Sequence, residues 1–376
     1  MKKLLCFVLA LVTVLSLTVI SSCPVFALED ENVISVEDES SFAIHFIDVG
    51  QADAALVLCD GSVMLIDGGN AADSDLIYSY LKKLKVDQLD YIVCTHAHED
   101  HVGGLAGALN YASVDTVLCP VTSYDSKAFK SFVKYLKKQK VGITVPKAGD
   151  SYTLGSSEFE ILGPISDDGD GENNSSIVLR IVYQNTSFLF TGDAELDEEK
   201  DILDEGYTLE STLLKVGHHG SETSTSYRFL NEVLPEYAVI SVGKNNSYGH
   251  PTEDVLSRLR DADVTVFRTD IQGDIICESD GESLSFTVEK NADADTLASV
   301  KKDKSTKAKA DSDSSESKSA KASGGKSYVL NTNTKKFHKP SCSSVKQMKD
   351  KNREDYTGHR QDVIDMGYDP CKRCNP

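Results

Sequence analysis

Thr95-His96-Ala97-His98-Glu99-Asp100-His101 places three imidazoles within six positions, with the carboxylate of Asp100 among them. Imidazole nitrogen and carboxylate oxygen are donors that Zn²⁺ and similar divalent ions take. His96 and His98, two positions apart, can address one ion from a turn. Asp100 and His101 can address a second. The alternative is a polar loop of solvated histidines. Three of the nine histidines in 376 residues fall in this one run, which argues against that alternative.

Such a turn needs a scaffold on both sides. Leu89-Asp90-Tyr91-Ile92-Val93-Cys94 precedes it as an apolar strand, and the stretch from Val102 to Leu109 reads as a helix start. The same organisation recurs through 42–288, where apolar strands alternate with amphipathic helices. Strands are expected at 42–48, 54–59, 62–67, 89–94, 114–119, 158–162, 176–183, 186–191, 211–216, 237–242, 264–268, 273–278 and 283–288. Helices are expected at 73–84, 101–110, 125–139, 195–203, 225–234 and 252–260. The expected architecture is α/β, more fully an α+β four-layer αββα sandwich of two mixed sheets with helices on both outer faces. Other candidate groups also sit at strand ends. Asp193 follows Ser187-Phe188-Leu189-Phe190 and is an anion able to bridge two ions. Asp67 ends another strand, where a buried carboxylate orients a ligand histidine. His218 and His219 end a third, and His250 closes the next strand and loop.

These motifs, in their order, resemble one family. His-x-His-x-Asp-His is the signature of the metallo-β-lactamase fold. Phe46-Ile47-Asp48-Val49-Gly50-Gln51-Ala52-Asp53-Ala54 is similar to the opening motif of one branch, the β-lactamase-like domain of ComEC-type competence (DNA-uptake) proteins. Leu65-Ile66-Asp67-Gly68-Gly69, Phe190-Thr191-Gly192-Asp193, Leu214-Lys215-Val216-Gly217-His218-His219-Gly220-Ser221 and Tyr248-Gly249-His250-Pro251 continue the likeness across residues 42–288. Ala52 stands where that branch usually has glycine.

The resemblance implies two divalent metal ions, Zn²⁺ or Mn²⁺, held by His96, His98, Asp100, His101, Asp193 and His250, with Asp193 bridging. Asp100, His218 and His219 are the catalytic candidates. His250 resembles the usual final ligand and His218 or His219 the general acid, although these roles can be exchanged. Residues 102–192 contain no histidine, so Asn173 or Asn174 takes the place of a further ligand. An amide oxygen is a weaker, harder ligand than imidazole, which lowers Zn²⁺ affinity at that site and admits Mn²⁺. The implied chemistry is metal activation of water for attack on a phosphodiester, with DNA as substrate and partner. A lactone, ester or β-lactam hydrolase, or a non-catalytic DNA-binding or cell-surface protein, is the alternative.

The remaining chain has separate parts. Residues 1–27 read as a signal peptide, with Val25-Phe26-Ala27 a cleavage site of small-x-small type, and imply a secreted protein. Ile20-Ser21-Ser22-Cys23 resembles a lipobox, which would instead anchor the protein through a lipid at Cys23. No second apolar stretch is long enough for a membrane span, so the transmembrane channel of competence proteins is not expected here. Residues 28–41 form a flexible acidic leader. Residues 289–326, rich in Lys, Ser, Ala and Asp, form a disordered linker. Residues 327–376 form a small module in which His338, Cys342, Cys371 and Cys374 have the composition of a closed structural Zn²⁺ site. This module resembles the zinc-binding module of the Ada type, with His338 in place of one cysteine. A Cys371–Cys374 disulfide is the competing possibility in a secreted chain. The chain carries −20, but residues 327–376 carry +4. Electrostatic contact with nucleic acid is therefore expected in the tail.

Overall fold

The computed structural model describes residues 41–165, 171–298 and 326–376, the last without 333, 343, 359, 372 and 375. The signal, the lipobox, nearly all of the leader and residues 299–325 of the expected linker lie outside the described residues.

The first half contributes β1 (Phe42–Phe46), β2 (Ala55–Cys59), β3 (Ser62–Ile66), β4 (Gln88–Val93) and β5 (Ser113–Leu118). Four helices accompany them: α1 (Ser74–Leu84), α2 (Glu99–Val102), α3 (Leu105–Tyr111) and α4 (Lys127–Gln139). The second half begins with β6 (Ser151–Leu154), β7 (Ser157–Gly163), β8 (Val178–Tyr183) and β9 (Thr186–Phe190). It continues through α5 (Leu196–Glu205), β10 (Leu213–Lys215), α6 (Tyr227–Val233), β11 (Tyr237–Ile240), α7 (Glu253–Asp261) and β12 (Thr265–Arg268). The short α8 (Thr269–Gln272) then leads into β13 (Ile275–Ser279) and β14 (Leu284–Val288). One seven-stranded sheet has the order β14-β13-β1-β2-β3-β4-β5, and the other β12-β11-β10-β9-β8-β7-β6. Chain termini of the domain thus meet in the first sheet, where β13 pairs antiparallel with β1.

The layers follow from strand alternation. On β1, Phe42, Ile44 and Phe46 point into a core shared with Phe159, Ile161, Ile181, Phe188 and Phe190 of the second sheet. Phe42 stacks on Phe188 with ring centroids 4.7 Å apart. On β2, Leu56 and Leu58 face the opposite way, into a cluster with Ile77, Leu81, Leu105 and Phe129 of the covering helices. Leu189, Leu214 and Ile240 do the same on the outer face of the second sheet, against Ile202, Phe229 and Leu256. The result is the αββα sandwich. β3, β4 and β5 run parallel, as do β9, β10, β11 and β12. Their C-terminal ends therefore line one edge, which is where the candidate ligands lie.

Three expectations differ from the structure. The helix expected at 101–110 is divided into α2 and α3 at Gly103–Gly104, where the 68–71 loop passes too close for any side chain. A Cβ on Gly104 would lie 1.9 Å from the Gly68 carbonyl oxygen, and one on Gly103 would lie 2.2 Å from the Ala71 nitrogen. β6, a short and mostly polar strand, was not expected. The folded domain also continues past the expected boundary at 288. Thr296 Oγ1 donates to the Val266 carbonyl at 2.6 Å, Arg268 donates to the Thr296 carbonyl at 3.0 Å, and Leu297 packs on the outer cluster. Two anchoring residues in a polar stretch leave almost no compositional signal.

The tail forms a four-stranded sheet of β15 (Lys326–Asn331), β16 (Lys336–His338), β17 (Arg353–Gly358) and β18 (Asp369–Pro370), with α9 (Arg360–Asp365). Among the described residues its core is two small clusters, Tyr328, Leu330, Phe337, Val363 and Tyr368 on one side and Val329, Cys342, Val345 and Cys371 on the other. Among the described residues, no helix is long and apolar enough to cross a membrane.

Candidate metal centre

Backbone hydrogen bonds tie the distant motifs into one edge. Asp53 N donates to the Asp100 carbonyl at 3.1 Å, Gly68 N to that of His101 at 2.8 Å, Ile177 N to that of Thr95 at 2.8 Å and His218 N to that of Gly192 at 3.1 Å. Segments from both sheets are thus fixed to the 95–101 turn before any side chain is considered. Ala52 is accommodated because the residue at positive φ in this turn is Gly50, at +70°.

Asp67 is spent on orientation. Its Oδ1 accepts from Thr95 N at 2.8 Å, and its Oδ2 accepts from Thr95 Oγ1 at 2.7 Å and from His101 Nδ1 at 2.8 Å. Because a carboxylate only accepts, the proton is on Nδ1, and His101 presents Nε2 to Asp193 Oδ2 at 3.3 Å. His219 is set the same way. Its Nδ1 donates to the Ser241 carbonyl at 3.0 Å and faces Asp53 Oδ1 at 3.2 Å, while Nε2 lies 3.3 Å from Asp100 Oδ2. Asp100, His101, Asp193 and His219 each offer a ligand atom, all within 4.8 Å of one another.

On the other side, His96 Nε2 and His98 Nδ1 face each other at 3.0 Å, and His98 Nε2 reaches Glu172 at 2.7 Å. Asn173 lines the same cavity, whereas Asn174 Oδ1 accepts from Glu195 N. Asn173 is therefore the amide that faces the centre. Asp193 stands between the two sets, its backbone N held by Ser176 Oγ at 3.0 Å. His218 is partly exposed. Its Nδ1 lies 3.3 Å from Glu195 Oε1, and its Nε2 lies 3.7 Å from Asp193 Oδ2. His250 lies outside the 4.8 Å group, with its ring 5.8 Å from that of His218. Of these, His98, Asp100, Asn173, Asp193, His218, His219 and His250 line an open cavity of about 340 Å³.

His218 and His219 both have left-handed backbone, at φ +49° and +54°. Non-glycine residues held there cost roughly 1–3 kcal/mol each, and such strain concentrates at functional sites. Consecutive left-handed residues let both imidazoles border one cavity, which an extended strand would prevent.

The electrostatics show that the centre fits a cation. Burial works against charge on His101, but Asp193 and Asp67 outweigh it and push the imidazole well above its usual range. Burial opposes protonation of His219 too, yet Asp193 and Asp53 raise it to about 10. Burial would raise Asp100, but His219 and His101 bring it down to about 2. The carboxylates thus draw protons onto the imidazoles, charge that a divalent ion would replace. His101 Nε2, Asp193 Oδ1, His219 Nε2 and Asn173 Oδ1 are buried without hydrogen-bond partners among the described residues. His96 is lowered well below its usual value, by burial first and then by His101, and so stays neutral as a ligand must.

One buried cation was not anticipated. Lys215, at the end of β10, donates to Asp53 Oδ2 at 2.7 Å and to the Val216 carbonyl at 3.1 Å. It sits behind His219 and is the group that offsets Asp53. A lysine within the apolar run Leu213-Leu214-Lys215-Val216 is the signal that could have revealed it.

In the tail, His338, Cys342, Cys371 and Cys374 also offer ligand atoms within 4.8 Å of one another. All seven described cysteines are free thiols. The Cys/His donor set fits a closed tetrahedral site.

The geometry agrees with the comparisons. Residues 47–244, just over half of the chain, match the metallo-beta-lactamase superfamily, and the chain belongs to it. Within that class its relatives include competence proteins of the type its motifs resemble. ComE operon protein 3 of Bacillus subtilis (strain 168) is 30% identical over 62% of this chain and 32% of its own length. Competence protein ComA of Neisseria gonorrhoeae is 32% identical over the same shares. Ribonuclease Z of Bacillus subtilis (strain 168) is 31% identical over 26% of this chain and 29% of its own. The chain spans about a third of the length of the competence proteins it matches.

Proposed function

We propose that the protein is a secreted, metal-dependent phosphodiesterase that cleaves nucleic acid, with DNA as its substrate. The observation that carries this reading is the double ligand set around Asp193 at the floor of an open cavity, with a partly exposed His218 beside it. Likeness to competence proteins and to a ribonuclease favours a phosphodiester over a lactone or β-lactam. The apolar N-terminal run supports export, with a lipid anchor at Cys23 as the alternative ending.

His96, His98 and Asn173 would hold one ion, and Asp100, His101 and His219 the other, with Asp193 shared. His219 takes the final ligand position here because it lies within the 4.8 Å group and His250 does not. When bound, such ions lower the pKa of water and neutralise charge on a phosphoryl group. Asp67 keeps the His101 proton on Nδ1, and Asp53 with the Ser241 carbonyl does the same for His219. His218 is placed as the general acid. Glu195 engages Nδ1, so the proton delivered to the leaving oxygen comes from Nε2. His250 is lowered to about 4, by burial and then by His218 and His219, and remains neutral near the reacting group. The tail would hold one structural Zn²⁺ and supply a basic surface for the strand.

The test is metal analysis with turnover of bis-p-nitrophenyl phosphate and of plasmid, single-stranded DNA and RNA. His219→Ala should lose about one ion per chain. His218→Ala should keep the metal content and lose roughly 10²–10⁴-fold in turnover. A His250→Ala variant that loses the ion while His219→Ala keeps it would exchange these roles. Hydrolysis of nitrocefin but of no phosphodiester would overturn the function.

A further inference from the structure

Tyr248 is the most exposed large hydrophobic residue among those described, at 71%, and it lines the cavity that holds the metal-ligand candidates. A single exposed aromatic is ordinary on a protein surface. Its mounting sets this one apart. Asn246 Nδ2 donates to the Gly243 carbonyl at 3.0 Å and to that of His250 at 2.6 Å, and His250 N donates back to Asn246 Oδ1 at 3.0 Å. Gly243 N in turn donates to Gln51 Oε1 at 3.0 Å. The loop is therefore pinned at both ends and across its middle, and it turns at Gly249, at φ +78°. One face of the tyrosine ring stacks on His250, with centroids 5.6 Å apart and planes at 26°. With 71% of the residue accessible, most of the ring remains open for contact at the cavity. The His250 ring is itself 5.8 Å from that of His218.

We propose that Tyr248 is a base-stacking subsite, on which an unpaired base of a single-stranded nucleic acid packs as the adjoining phosphate enters the cavity. The proposal rests on the phosphodiesterase reading and specifies its substrate class. A rigid aromatic platform beside a cation centre matches how single strands are held without sequence readout. Every base has a π-face, and stacking on a side chain is independent of base identity. A paired base within a duplex keeps both faces stacked on its neighbours, so the platform favours single strands and frayed ends.

The test compares two oligomers on full-length metal-loaded protein: oligothymidylate, and an oligomer of the same length built from abasic tetrahydrofuran residues. Both present the same phosphates, and only one presents bases. The wild type should show a KM for oligothymidylate lower by roughly 5- to 150-fold, the range expected for one stacked base. Tyr248→Ala should bring this ratio toward unity through KM rather than kcat, and Tyr248→Phe should retain it. If the wild type cleaves both oligomers and Tyr248→Ala leaves the ratio unchanged, the subsite is wrong and the phosphodiesterase stands. If the wild type cleaves neither oligomer but hydrolyses bis-p-nitrophenyl phosphate or plasmid, the subsite is wrong and the phosphodiesterase stands; if it hydrolyses no phosphodiester, both fail.

Discussion

Removing the Lys215 charge isolates the cost of the acidic cluster under the metal centre. The Lys215 and Asp53 side chains are 4% and 7% exposed, with Nζ 2.7 Å from Oδ2. At an effective dielectric of about 20, that separation is worth roughly 6 kcal/mol of attraction. Burying two charges offsets most of it, so the pair contributes little net stability. Removing one partner is different, because it leaves the other charge buried and uncompensated, at about 3–5 kcal/mol. In Lys215→Met, Asp53 keeps the imidazoles of His219, with Nδ1 at 3.2 Å, and of His101. This partial compensation places the expected loss near the lower end, about 3 kcal/mol. At roughly 2–4 °C per kcal/mol, the melting temperature should fall by about 6–12 °C.

Lys215→Met with Asp53→Asn removes both charges and leaves His219 Nδ1 on the Ser241 carbonyl. It should recover most of the loss. The pH dependence has a definite sign. Burial raises Asp53, but Lys215 and His219 outweigh this and hold it below its usual value. A depressed carboxylate contributes stability above its unfolded pKa and loses it only as pH falls through the folded value. Without Lys215 the Asp53 pKa rises, so the deficit of the variant should shrink as pH falls from 7 toward 4. Urea unfolding of the metal-free protein followed by circular dichroism measures all three quantities. A single variant within about 1 kcal/mol of wild type, or a double variant no better than the single, would refute the reasoning.

Metal loading should release protons near neutral pH, because His101 and His219 are both raised in the metal-free protein. Titration calorimetry in buffers of different ionisation enthalpy should detect the release, and apparent affinity should increase with pH up to about 10. Asp67→Asn should weaken metal binding by roughly 10–100-fold through the lost orientation of His101, as read by competition with a chelator. Phe188→Ala, between the sheets, should cost about 3–5 kcal/mol in urea unfolding while the metal content of the folded protein stays at wild-type level. Cys371→Ser should lower the zinc content by about one ion per chain and unfold residues 326–376, which zinc analysis and proteolysis would show. Deleting residues 299–376 should raise KM for long DNA at low salt, with a gap that narrows as salt rises, and should leave a small phosphodiester unaffected.

Features set by short stretches of chain were legible in the sequence. His96, His98, Asp100 and His101 lie within one turn after a strand, so their spacing alone gathers them. The inward and outward alternation of β1, β2 and β9 is likewise local, because a strand has a period of two. The clustering of the tail donors could also be read, since one imidazole and three thiols occur in a segment with so small a core, and the fold brings their ligand atoms within 4.8 Å of one another. Other relations arise between elements far apart in the chain, and only the tertiary structure decided them. His219 rather than His250 approaches Asp100 and Asp193 because two left-handed residues turn the chain at the end of β10. No composition rule indicates a positive φ at a histidine. Asn173 lines the cavity with its Oδ1 unpartnered among the described residues, whereas Asn174 Oδ1 accepts from Glu195 N, 21 positions away. Lys215 meets Asp53 across 162 positions, since β10 and the loop after β1 end at the same edge of opposite sheets. Periodicity reports which face of an element is buried. It does not report which buried polar group on one element meets which on another, and the chemistry of this site depends on that pairing.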